Sequence, residues 1–152
     1  MPDETYLAAL RMLSRRELSE AQVRQRLARR QHDAAAIDDA IARLKDARSI
    51  DDARTAAAIA QTELAVRRHG RLRVRRQIES AGIAPSLAQQ AVDAAFAEVE
   101  DDDLLAAALD KRLRGRTEIA DDRERQRLYR YLIGQGFESD RVIAALRRRR
   151  SS

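Results

Sequence analysis

The sequence predicts an all-α chain, an elongated, curved array of three tandem three-helix repeats with about nine helices. Three observations carry this. Apolar residues make up 44% of the 152 residues but are mostly Ala and Leu, aromatics are 3%, and only five Gly and two Pro interrupt the chain. Ala and Leu lose little on entering a helix, whereas strands draw on the β-branched and aromatic residues that are scarce here. Apolar residues also recur at i, i+4, the spacing that places two side chains on one helical face. Finally, one pattern occurs three times: Val23, Leu27, His32, Ile37, Ile41; then Val74, Ile78, Ile83, Ala88, Val92; then Leu128, Leu132, Phe137, Val142, Leu146. The intervals are four, five, five and four residues in every copy, so each reads as helix, short turn, helix.

The first repeat, residues 1–50, opens with an amphipathic stretch marked by Tyr6, Leu10 and Leu13. A capping-box pattern, Ser19-Glu20-Ala21-Gln22, starts the next helix, and Asp33 stands near the start of the third. The second, residues 51–100, opens on Asp51-Asp52, acids that complement the positive end of a helix. An Ala-lined helix follows, marked by Ala53, Ala56, Ala57, Ala60 and Leu64, and another begins after Gly70. Ala81-Gly82-Ile83 then puts glycine where a helix must stop, and Ala84-Pro85-Ser86 starts the next. The third, residues 101–152, opens on Asp101-Asp102-Asp103 and continues through Leu105, Ala108, Leu109 and Leu113. Its turn is Gln135-Gly136-Phe137, its last helix starts near Ser139-Asp140, and it ends in a basic tail. In the first repeat Gln31 occupies the glycine position, so that turn must tolerate a side chain.

Much chemistry is disfavoured. Cysteine is absent, which removes disulfides and thiolate metal sites and fits a reducing compartment. The N-terminus has neither the basic start nor the apolar run of a signal peptide, and no window approaches a membrane span, so a soluble cytoplasmic protein is expected. Two histidines are too few for a metal cluster: His32 takes the place of Ile83 and Phe137 and reads as a packing residue, and His69 reads as part of a turn. Asp38-Asp39 and Asp121-Asp122 are adjacent rather than on one helical face, so they do not form acid/base pairs. No phosphate-cradling glycine loop or zinc spacing appears, and no catalytic residue, cofactor or metal is expected.

The net charge is +5 and the pI about 10.3, which suits a polyanion or an acidic protein face. Only Lys45 and Lys111 are lysine, so the other 28 of 30 basic residues are arginine. GC-rich coding explains that bias as well as function does, and distribution must decide. Residues 1–66 carry 11 basic and 11 acidic groups, residues 67–100 carry 6 and 4, and residues 101–152 carry 13 and 10. The densest run is Arg67-Arg68-His69-Gly70-Arg71-Leu72-Arg73-Val74-Arg75-Arg76, with six arginines and no acid. With Val74, Ile78 and Ala81 facing inward, Arg73, Arg75 and Arg76 fall on the flanks and back of the helix. Arg24 aligns with Arg75, and Arg127 and Arg130 align with Arg73 and Arg76. Arg24, Arg67, Arg68, Arg71, Arg73, Arg75, Arg76, Arg127 and Arg130 are therefore the candidate partner-binding residues. The plainer account of any one of them is a solvated, ion-paired helix face. Arg147 to Arg150 either contact phosphate or are solvated.

Four segments resemble the RecX regulatory family: Leu44-Lys45-Asp46-Ala47-Arg48-Ser49-Ile50-Asp51-Asp52-Ala53-Arg54-Thr55-Ala56, Arg67 to Arg73, Ile78-Glu79-Ser80-Ala81-Gly82-Ile83, and Leu128-Tyr129-Arg130-Tyr131-Leu132-Ile133-Gly134-Gln135-Gly136-Phe137. Their order and spacing cover nearly the whole chain. The resemblance implies a curved array of three-helix repeats that binds the RecA recombinase filament and suppresses its ATPase, strand-exchange and coprotease activities. Groove occupancy by a monomer is the expected mode, and contact with single- or double-stranded DNA is a further expectation. The alternative is a direct, sequence-independent DNA-binding protein using the same arginines. Two residues depart from the family pattern: Thr55 replaces an aromatic, which is expected to loosen packing between the first two repeats, and Gln31 replaces a glycine.

Overall fold

A computed structural model describes residues 3–150. Among the described residues there are nine α-helices: α1 (Glu4–Arg15), α2 (Glu20–Arg29), α3 (Ala34–Asp46), α4 (Asp52–Gln61), α5 (Arg71–Ser80), α6 (Pro85–Ala95), α7 (Asp101–Leu113), α8 (Asp122–Gly134) and α9 (Ser139–Arg148). A π-helical turn, Thr62–Val66, extends α4, and the only β-type pairing among the described residues is an isolated bridge between Ile119 and Arg150. The all-α repeat fold is as the periodicity predicts. Fourteen of the fifteen residues in the repeated pattern are buried, and the fifteenth, His32, is half-buried with its Nδ1 2.8 Å from Thr5 Oγ1.

The chain divides by contact into two compact units, Met1–Ile59 with Gln77–Ala91, and Ala60–Arg76 with Val92–Ser152. In the first unit α1, α2 and α3 enclose Ala8, Ala9, Met12, Leu18, Val23, Leu27, Ile37, Ile41 and Leu44. The buried face of α1 is Thr5, Ala8, Ala9 and Met12, whereas the sequence-derived stripe Tyr6, Leu10 and Leu13 borders it. Two adjacent alanines, Ala8 and Ala9, sit at the centre of this buried face, and the larger residues pack along its edges. Tyr6 does so under the Arg43 guanidinium, 4.0 Å above its ring. The capping box forms as spelled, with Ser19 and Gln22 satisfying each other's backbone amides.

The same kind of correction applies to α4. Ala56 and Ala60 are buried as expected, but Ala53 and Ala57 face solvent and Thr55 takes an inward position. Thr55 is 2% exposed, and its hydroxyl lies 3.1 Å from the Asp51 carbonyl, 3.2 Å from a Glu17 carboxylate oxygen and 3.4 Å from the Leu18 carbonyl. A small hydrogen-bonded residue fills that position, and the expected loosening is not found there. Leu64 is only partly buried, because the π-turn turns the chain off the α-helical register: Arg67 N–H bonds back to the Thr62 carbonyl at 3.2 Å.

The second unit has its own core of Leu105, Leu109, Leu113, Leu128, Leu132, Phe137, Val142 and Leu146 on α7, α8 and α9. Here α5 meets the turn between α8 and α9. A helix start leaves free amides, and α5 has two of them satisfied by backbone: Gly70 N–H donates to the Gln135 carbonyl (2.8 Å) and Leu72 N–H to the Gly136 carbonyl (3.1 Å). The approach demands glycine, since a Cβ at Gly70 would stand 2.6 Å from the Gly136 oxygen and one at Gly136 would overlap Arg73.

The first unit contains the equivalent joint. Ser19, which aligns with Gly70, donates its hydroxyl to the Ala81 carbonyl, and a Cβ on Gly82 would overlap the Ala21 methyl. Gly82 and Gly136 both lie at positive φ, 79° and 100°. Gln31 has the same backbone conformation, φ 63°, but its side chain is exposed. The unusual first-repeat residue therefore follows from geometry: the turn bends alike in all three repeats, and glycine is obligatory only at the two turns pressed against another helix.

At these positive-φ turns, losing a glycine and gaining one should act in opposite directions. Gly136→Ala and Gly82→Ala should each lower the unfolding free energy in urea by about 2 kcal/mol or more, from left-handed strain of about 1–2 kcal/mol plus displaced neighbours. Gln31→Gly should be neutral to stabilising by about 1 kcal/mol.

Candidate partner-binding surface

The arginines singled out from the sequence have different surroundings. Arg24, on α2, is held by Glu20 at 3.2 Å and Asp38 at 2.6 Å, and these carboxylates push its pKa up, Asp38 most strongly. Arg67 lies 3.9 Å from Glu63, and Arg68 is exposed with φ 55°. The sequence offers no carboxylate inside the run, yet carboxylates reach it from outside, Glu63 at Arg67 and Asp101 at Arg71 among them.

Arg71 is held by several groups at once. Its Nε is 3.1 Å from both oxygens of Asp101, its guanidinium lies 4.7 Å over the Phe96 ring, and Nη2 is 3.4 Å from the Phe96 carbonyl. The group therefore ties α5 to the end of α6 and the start of α7. Asp101 also lies 3.8 Å from Arg141 of α9, whose pKa is raised first by Asp102 at 3.0 Å. A carboxylate read from sequence as a helix-dipole partner is thus also a junction between three helices.

Arg73, Arg75 and Arg76 lie beyond that anchor, with Val74 and Ile78 fully buried behind them. Arg73 donates to the Gly134 carbonyl at 3.0 Å, which directs it along the end of α8, and Arg76 is exposed. Arg127 and Arg130 are exposed on α8 itself. The surface of the second unit therefore carries guanidiniums on both α5 and α8, which the Gly70–Gly136 joint holds together.

Other expectations need correction. His69 is not a simple turn residue: it is 6% exposed and its Nδ1 bonds the buried carboxylate of Glu63 across the π-turn, while its N–H donates to the Glu63 carbonyl at 2.9 Å. The six-residue separation matches neither helical face, so no local pattern announces the pair. The C-terminal arginines are not all solvated: Arg149 pairs with Asp110 at 2.6 Å, and Ile119 N–H donates to the Arg149 carbonyl at 2.8 Å.

Among the described residues, no His, Asp and Glu cluster able to hold a metal is found, and no helix is long and apolar enough to cross a membrane. Fold and surface together define a helical-repeat protein that presents arginines from packed helices. The comparisons with known proteins give it a family. Residues 6–44 match the family model for the first three-helix domain of RecX and residues 100–146 that for the third. The chain is 32% identical over 137 residues to the regulatory protein RecX of Syntrophotalea carbinolica, covering 90% of each chain. It is also 32% identical over 139 residues to that of Halorhodospira halophila, covering 91% of this chain and 83% of the relative. The crystal structure of RecX from Lactobacillus salivarius shares the fold, with a TM-score of 0.74 over 95% of this chain and 93% of that one at 22% identity. The chain belongs to the RecX family of regulatory proteins.

Arg71 should behave as a structural residue. Arg71→Ala and Asp101→Asn should each destabilise the fold by about 1–2 kcal/mol in urea titrations, with the double variant costing less than the sum. Arg76→Ala should leave stability within about 0.5 kcal/mol.

Acid should also weaken the fold in a defined way. Hydrogen bonding to Lys45 and Arg24 holds the Glu20 carboxyl below its ordinary range, and Arg116, helped by the Ala120 amide, does so for Glu124. Because these folded-state values are depressed, their stabilisation is present above about pH 4.3 and is lost as pH falls through the lower folded values. Thermal unfolding followed by circular dichroism should show a smaller acid-side fall in Tm for the Glu20→Gln/Glu124→Gln variant than for the parent. Both pairs are solvent-screened, so the difference should be modest.

Proposed function

We propose that this chain binds the RecA nucleoprotein filament and inhibits its ATPase, strand-exchange and coprotease activities by occupying the filament groove. It would do so in the cytoplasm as a monomer, through three repeats spanning residues 1–50, 51–100 and 101–152. Membership of the RecX family supports this, and one observation carries it: Arg73, Arg75 and Arg76 are borne on a helix whose start is fastened at Gly70 and Arg71 and whose inner face is fully buried. Guanidiniums on a fixed helix lose less freedom on binding than those on a loop. A repeat array can engage several filament subunits at once, so weak contacts add through avidity.

Arg73→Glu/Arg75→Glu/Arg76→Glu should relieve inhibition of the recombinase ATPase while leaving helicity unchanged. Full inhibition by that folded variant would remove these residues from the mechanism. Co-sedimentation with RecA filaments and with naked single-stranded DNA across a salt series separates the main reading from direct DNA binding. Retention on filaments alone supports the filament reading. Equal retention on naked DNA, falling steeply with salt, supports a sequence-independent DNA-binding protein.

A further inference from the structure

The second unit contains an open cleft of about 390 Å³ between α8 and α9, and of the residues lining it only Arg130 belongs to the arginine surface described above. Its floor is aliphatic: Leu146 is buried beneath it, and Ile143 faces solvent at 39% exposure. Tyr129 forms one wall, its hydroxyl 3.0 Å from that of Ser139. Arg125, Arg130 and Arg147 stand around it, and none of the residues lining it is acidic. Arg125 has a carboxylate at hand, Asp122 at 3.5 Å, and Asp122 is 88% exposed.

We infer that this cleft binds an acidic amphipathic peptide segment, with apolar side chains seated on Ile143 and Leu146 and carboxylates paired to Arg130, Arg147 and Arg125. The charge complementarity follows from the lining. Arginine forks match carboxylates in two-point geometry, and an apolar stripe flanked by acids is what a helix laid in a groove presents. A nucleic acid fits less well. Phosphates gain nothing from an aliphatic floor, and single strands are held on stacked aromatic platforms, whereas Tyr129 is the one aromatic residue lining the cleft. The site needs no recombinase, and Ile143 belongs to none of the candidate partner-binding residues, so the Ile143→Ser arm separates its fate from that of the filament reading.

The test is fluorescence anisotropy of the full chain with a labelled glutamate-rich peptide carrying leucines at i, i+3, i+4 and i+7, compared with a shuffled peptide of identical composition. Binding should be saturable and about ten-fold tighter for the ordered peptide. Ile143→Ser and Arg130→Glu/Arg147→Glu, with helicity unchanged, should each weaken it about ten-fold. The inference is overturned if the two peptides bind equally, or if neither variant weakens the ordered one. It is also overturned if a single-stranded oligonucleotide loses the same factor on Ile143→Ser, which would give the cleft to nucleic acid.

Discussion

At the start of α5 the backbone of a neighbouring turn does the work usually left to a capping side chain. Two amides of the Gly70–Leu72 segment donate to the carbonyls of Gln135 and Gly136, and the approach is close enough that neither Gly70 nor Gly136 can carry a Cβ in place. Ser19, Ala81 and Gly82 make the corresponding contact in the other unit, there through a side-chain hydroxyl. One device, a glycine turn pressed on the beginning of a middle helix, is thus used twice with different capping chemistry.

The device sets what the arginines can do. Fastening α5 at its start leaves Arg71 facing Phe96 and Asp101, where its charge is spent on holding three helices together. The next turn of the same helix carries Arg73, Arg75 and Arg76 away from the core, and Arg73 reaches the end of α8, which carries Arg127 and Arg130. The arginines of α5 therefore differ in their surroundings, with Arg71 an anchor and Arg76 exposed on the same helix.

The helices were legible because their signals are local. The i, i+4 spacing, the Ser19 box, Pro85 and the acids at Asp52 and Asp101 each lie within one turn of what they specify. Phase was harder where side chains are small. In α1 and α4 alanine is compatible with either face, so the choice between Leu10 and Ala9, or between Ala57 and Thr55, is settled only by which neighbour must come close. The arginine positions were legible, but their partners were not. Asp101 is thirty residues from Arg71, and Glu63 meets His69 only because the helix widens into a π-turn between them. Gln31 looked like a lapse from the glycine pattern; its open surroundings show it to be the one turn of the three where a side chain fits.

The most direct test is native-state hydrogen exchange at the amides of Gly70 and Leu72, read by NMR across increasing denaturant. If the turn of α8 and α9 caps α5, both protons exchange only through opening as costly as that of Val74 and Ile78 in the interior of the helix. Rapid exchange at Gly70 and Leu72 while Val74 and Ile78 remain protected would show a frayed, uncapped start and contradict the account.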